Sequence, residues 1–201
     1  MQRAGVNLPT LGHVSTTSVQ FITSPRYHSS VPPSTRSLLT HGVSAPPPTH
    51  SVNPLVRIKL VSDPGHPACG QYGLFAYKKI PPRSHIIDYI GEVHCQERFD
   101  SDYDLSLYRS QDGANVGIDA REMGNEARFT NDYRGIQNKP NAEFVDYRTT
   151  GGELRMSVWS RGEVIKKGDE ILVSYGKSWW QNRLDVNKQQ CGSVSLVSKN
   201  K

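Results

Sequence analysis

Two motifs decide the fold: Arg128-Phe129-Thr130-Asn131-Asp132, followed by Pro140-Asn141, and then Gly168-Asp169-Glu170-Ile171-Leu172-Val173-Ser174-Tyr175-Gly176. Each places hydrogen-bonding side chains beside apolar ones, and ordinary strand and turn sequence separates them. They read as the halves of one site. Working outward toward the N-terminus, two more such segments follow in order, Tyr89-Ile90-Gly91-Glu92 and Gln71-Tyr72-Gly73-Leu74-Phe75-Ala76.

These four motifs, in this order from Gln71 to Gly176, resemble the signature segments of the SET-domain protein lysine methyltransferases, and a motif gains weight from its context. Tyr89-Ile90-Gly91-Glu92 is similar to that family's Tyr-x-Gly-Glu turn, and Gln71-Tyr72-Gly73 to its Gly-x-Gly strand entry, with Gln71 in place of the first Gly. Asn131-Asp132 stands where the family has Asn-His. The stretch from Asn131 to Pro140 is longer than the family's Ser-Cys-x-Pro and lacks its Cys. The resemblance implies a mostly β fold of small curved sheets with few short helices and a pseudoknot-like C-terminal crossing. It also implies methyl transfer from S-adenosylmethionine to the side-chain amine of a protein lysine, with histone as the commonest target and the nucleus as compartment, cytoplasm or an organelle being the alternative. A catalytically inactive SET fold serving as a protein-interaction module is the other reading, motivated by Gln71 and Asp132.

The 201 residues suffice for one domain with chain to spare. No Asp or Glu precedes Asp63, whereas Arg3, Arg26, Arg36, Arg57 and Lys59 do; residues 63–201 therefore hold 19 basic and 19 acidic side chains. That balance argues against a nucleic-acid-binding face, which needs a basic surplus within the fold. Cys69, Cys95 and Cys191 are too scattered for a disulfide framework or a zinc site, so no metal is expected. No apolar run approaches the ~20 residues of a membrane-spanning helix, which predicts a soluble chain without a membrane partner.

Residues 1–53 are rich in Ser, Thr, Pro and His, including Pro46-Pro47-Pro48, and show no sustained periodicity. Such composition predicts a disordered tail, with an organelle transit peptide as the other reading of its acid-free, Arg- and Ser-bearing sequence. A SET domain is expected over 54–183 and a polar tail over 184–201. Within the domain, alternation of apolar and polar side chains predicts strands at 56–61 and 153–160, and short apolar segments punctuated by Gly and Pro read as further strands at 73–77, 85–90, 117–120 and 171–174. Residues 97–112 read as a short helix or irregular insert, and 122–129 and 177–183 as helices.

The residues with candidate chemistry follow from the resemblance. Tyr175 matches the tyrosine whose hydroxyl lies near the transferring methyl, and Tyr89 the one that lines the lysine channel. Tyr72, Gly73, Asn131 and Asp132 match cofactor-binding positions. Many family members close the cofactor pocket with a cysteine-rich zinc segment after the catalytic Tyr, which is missing here; in members without it an aromatic from this region can cover the adenine, so the resemblance implies Trp179, or its neighbour Trp180, as the lid. Val173 stands where the family carries a larger aromatic that limits methylation, so its small side chain implies di- or trimethylated product. Each of these also has a plain structural reading, as core tyrosine, turn, strand packing or helix packing.

Overall fold

The computed structural model describes residues 19–41, 53–109 and 115–176. In chain order its strands are β1 (Gln20–Phe21), β2 (Arg26–Tyr27), β3 (Val56–Leu60), β4 (Tyr72–Ala76), β5 (His85–Tyr89), β6 (Glu92–His94), β7 (Asp104–Arg109), β8 (Asn115–Asp119), β9 (Met123–Gly124), β10 (Asn131–Asp132), β11 (Ala142–Arg148), β12 (Leu154–Ser160) and β13 (Leu172–Val173). One α-helix, α1 (Pro33–Thr40), and one 3-10 turn, Glu126–Phe129, complete the described elements.

The strands sort into small sheets: β3-β4, β11-β12-β5, β2-β6-β8-β7, and the two-stranded parallel pairs β1-β9 and β10-β13. In β3, Val56 is buried while Arg57 and Lys59 are exposed, the pattern of a sheet with one face on the core. Leu74, Ile80, Ile86, Ile118, Ile165 and Ile171 are fully buried where the sheets converge. Gly91 turns the chain between β5 and β6 hard against the Asp119 carbonyl, where no Cβ fits.

The C-terminal crossing forms around β13, which pairs in parallel with β10 through Asn131 opposite Leu172 and Asp132 opposite Val173. Asn141 grips the same strand from the other side. Its Nδ2 donates to the Glu170 carbonyl at 2.7 Å and its Oδ1 accepts from the Leu172 N–H at 2.8 Å. The chain between residues 132 and 141 thus closes over β13, as the resemblance implied.

Several expectations are corrected. Part of the segment read as a disordered tail is ordered: β1 pairs with β9, β2 pairs with β6, and Leu39 of α1 is fully buried. Strands of two residues carry no periodic signal, and their order comes from tertiary pairing. Residues 104–109, read as helix or insert, form the strand β7, because Leu105 and Leu107 alternate with polar neighbours and β8 supplies a partner. The helix expected over 122–129 reduces to the 3-10 turn preceded by β9. Strand β11 was not anticipated. The helix at 177–183, Trp179, Trp180 and the tail over 184–201 lie outside the described residues.

Candidate active site

Gly73 on β4 sits where a Cβ would come within 2.5 Å of Glu170 Oε1 and 3.1 Å of Asn131 Nδ2. The absent side chain makes room for an interaction between two residues brought together by the crossing. Asn131 Nδ2 donates to Glu170 Oε1 at 2.8 Å and lies 3.5 Å from the Tyr72 carbonyl. Asn131 Oδ1 has no hydrogen bond among the described residues. Tyr72 stands beside this pair with its ring edge-to-face on Phe129, centroids 6.1 Å apart.

Asp132, the next residue, is buried and serves the backbone. Its Oδ2 accepts from the Tyr175 N–H at 2.8 Å, and its Oδ1 accepts from the Arg134 N–H at 2.9 Å. The Arg134 guanidinium closes the same carboxylate at 2.8 Å. Tyr175 is thereby fixed at the end of β13, and its hydroxyl donates to the Thr130 carbonyl at 2.7 Å. Burial, reinforced by the Asp132 carboxylate, pushes the Tyr175 phenol far above its ordinary range. A second phenol behaves alike. Tyr89 donates its hydroxyl to the Tyr103 carbonyl at 2.8 Å, packs edge-to-face on Phe144 at 5.8 Å, and is raised by burial and then by Tyr175.

These side chains share one cleft of about 1020 Å³, lined by Tyr72, Tyr89, Asn131, Asp132 and Tyr175 among others. Gly73 is not in its lining and stands behind Asn131. Val173 is fully buried in the hydrophobic core and does not line the cleft either, so its structural role is that of a β-strand core residue.

Sequence reasoning missed four participants. Glu170 holds Asn131, Thr130 receives the Tyr175 hydroxyl, and the Tyr103 carbonyl receives that of Tyr89. Arg128 is the fourth: it is buried, donates from Nε to the Ala120 carbonyl at 2.8 Å, and lies over the Tyr103 ring at 4.2 Å. The available signal was proximity to the motifs, since Glu170, Thr130 and Arg128 all lie inside them. Tyr103 gave none, because its contribution is a carbonyl.

The SET domain family model matches residues 71–176. A histone-lysine N-methyltransferase of Debaryomyces hansenii, described as H3 lysine-36 specific, is 38% identical over 127 residues, covering 60% of this chain and 16% of its own length. A mouse protein described as inactive histone-lysine N-methyltransferase 2E is 33% identical over 106 residues, covering 49% of this chain and 5% of its own. The chain therefore spans a small part of the curated relatives it matches. Among solved structures, ATXR5 in complex with mono-methylated histone H3.1 superposes with a TM-score of 0.54 over 78% of this chain and 80% of that one; at 20% identity the likeness speaks for the fold alone.

Proposed function

Because the chain belongs to the SET-domain family, we propose that it transfers a methyl group from S-adenosylmethionine to the side-chain amine of a protein lysine, with histone H3 as the substrate to test first. The observation that carries this reading is the convergence of Tyr175, Tyr89, Tyr72 and Asn131 on one cleft from four separate segments of chain.

The residues present fit the cofactor. Asn131 offers an unengaged carbonyl oxygen for a cationic amine, while Tyr72 and Phe129 provide apolar ring surface beside it. S-adenosylmethionine, when bound, supplies a methyl group activated by its positive sulfur. The chain's own residues would do the rest. Tyr175 and Tyr89 have both spent their hydroxyl protons on carbonyls, so each phenol oxygen is an acceptor and can orient an incoming amine N–H. Both stay protonated well above neutral pH, so neither acts as a base. A lysine amine entering this buried surround loses its proton more readily, because desolvation disfavours the charged form. Holding amine and methyl in line then accounts for most of the acceleration. A histone substrate implies a nuclear protein.

The mouse relative described as inactive supports a second reading, a SET fold retained for protein interaction. Mass spectrometry of histone H3 and of nucleosomes incubated with the full chain and S-adenosylmethionine separates the two. Methylated lysine supports the enzyme; cofactor binding without methylated product on any protein supports the interaction module.

A further inference from the structure

We infer that His66 is a positioning residue of this site: through Glu170 it fixes the Asn131 amide with its carbonyl oxygen presented to the cofactor. The inference rests on the methyltransferase reading and adds a residue to it. His66 precedes the segment matched by the family, residues 71–176, and meets Glu170 across 104 residues of sequence.

The loop carrying His66 is held on both sides. Its ends are tied by Val61 N–H to the Gln71 carbonyl at 2.7 Å and Gly70 N–H to the Val61 carbonyl at 2.8 Å. Inside it, the His66 N–H reaches the Asp63 carbonyl at 3.1 Å and the Cys69 N–H reaches the His66 carbonyl at 2.9 Å. Pro67 abuts Gly135, where a Cβ would lie 2.7 Å from its ring. The imidazole is therefore delivered to Glu170 by a braced turn.

The hydrogen bonds then fix a direction along the chain of groups. The Ala68 N–H donates to His66 Nδ1 at 3.0 Å, so the ring proton resides on Nε2, which donates to Glu170 Oε2 at 2.9 Å. Both side chains are only 8% exposed, so water contributes little to this contact. With Oε2 held by His66, Glu170 Oε1 accepts from Asn131 Nδ2 at 2.8 Å. A flipped Asn131 would set its carbonyl oxygen against the carboxylate, a repulsive contact. The amide is left one orientation, and its oxygen remains the free acceptor. Losing His66 leaves Glu170 Oε2 without this donor, so the carboxylate that orients the Asn131 amide is no longer held from both oxygens.

The test titrates S-adenosylmethionine into the full chain by calorimetry, for the wild type, His66→Ala and His66→Gln, with the thermal unfolding of each unliganded variant recorded alongside. His66→Ala is expected to weaken binding about 10-fold, the worth of one hydrogen bond to a charged group. His66→Gln keeps an N–H donor toward Glu170 and is expected to restore binding to within about threefold. Unchanged affinity in His66→Ala, or equal weakening in both variants, overturns the positioning role while leaving the methyltransferase reading intact. A wild type that binds no cofactor overturns both. Should His66→Ala fail to fold, long-range 15N–1H correlation on the wild type reads the tautomer directly: Nε2–H is expected, and Nδ1–H overturns the proposal.

Discussion

The Tyr175 backbone N–H donates to Asp132 Oδ2 at 2.8 Å, so a side chain at the end of one strand of the crossing holds the main chain that presents the phenol from the other. Where the resemblance has His, this chain has a carboxylate whose oxygens also accept from the Arg134 N–H and guanidinium. Removing that acceptor takes this hydrogen bond from both backbone N–H groups and the guanidinium. Asp132→Ala should therefore lower stability by about 2–3 kcal/mol, and Asp132→Asn, which keeps a carbonyl oxygen for Tyr175, by about 1 kcal/mol. Denaturant unfolding of the two variants checks the ranking.

Gly73 admits no side chain, because a Cβ would lie 2.5 Å from Glu170 Oε1. Gly73→Ala must push Glu170 or Asn131 aside, at a cost of about 1–3 kcal/mol for an overpacked position. Affinity for S-adenosylmethionine should fall together with stability. Calorimetry and thermal unfolding measure both, and normal cofactor binding in Gly73→Ala would show that the packing around Asn131 tolerates displacement.

The N-terminal helix belongs to the folded unit. Leu39 is fully buried, and the Arg148 guanidinium on β11 donates to the Leu38 and Leu39 carbonyls at 3.3 and 3.4 Å. Leu39→Ala should cost about 2–4 kcal/mol, the usual range for emptying a core site. Were this segment a loose tail, the change would stay within about 0.5 kcal/mol by denaturant unfolding.

Asp88 predicts a pH response. Burial opposes its ionisation, but bonds from His85, Arg155 and Ser157, each 2.7 Å, outweigh burial and hold the carboxyl well below the usual carboxylate range. Burial, and then the same carboxylate, push the Tyr147 hydroxyl up to about 12. With the folded pKa below the unfolded value of 3.8, the unfolded chain takes up the proton first as pH falls. The stabilisation is therefore complete above the unfolded pKa and is lost as pH drops through the folded one. Asp88→Asn should be less stable than the wild type by about 2–3 kcal/mol at neutral pH. That gap should narrow below about pH 4. A gap that stays constant down to the acid transition would contradict the role given to the ionised carboxylate.

The sequence was most legible where one residue pattern decides the outcome. Val56–Leu60 and Leu154–Ser160 are long enough for their alternation to announce strands. The motifs located Tyr175, Tyr89, Tyr72, Asn131 and Asp132, which do share a cleft. Elements whose order comes from a distant partner left no comparable trace. β1 and β2 are two residues each and exist through pairing with β9 and β6. β11 breaks its alternation where Phe144 and Val145 stand side by side, so with Glu143, Asp146 and Arg148 around them the segment reads as a polar connection. His66 and Glu170 meet only because the loop before β4 folds back onto the crossing, and nothing local to either residue signals the contact.

The most direct measurement is methyl transfer from labelled S-adenosylmethionine to core histones and to a cell lysate by the wild type and by Tyr175→Phe, with the cofactor affinity of both proteins determined. On the proposed reading, Tyr175 touches the reacting groups and Asn131 holds the cofactor. Label should therefore appear on protein with the wild type and fall about 100-fold or more in the variant, with little change in cofactor affinity. Equal transfer by both proteins would remove Tyr175 from the chemistry; cofactor binding with no label from the wild type on any protein would contradict the enzyme reading itself.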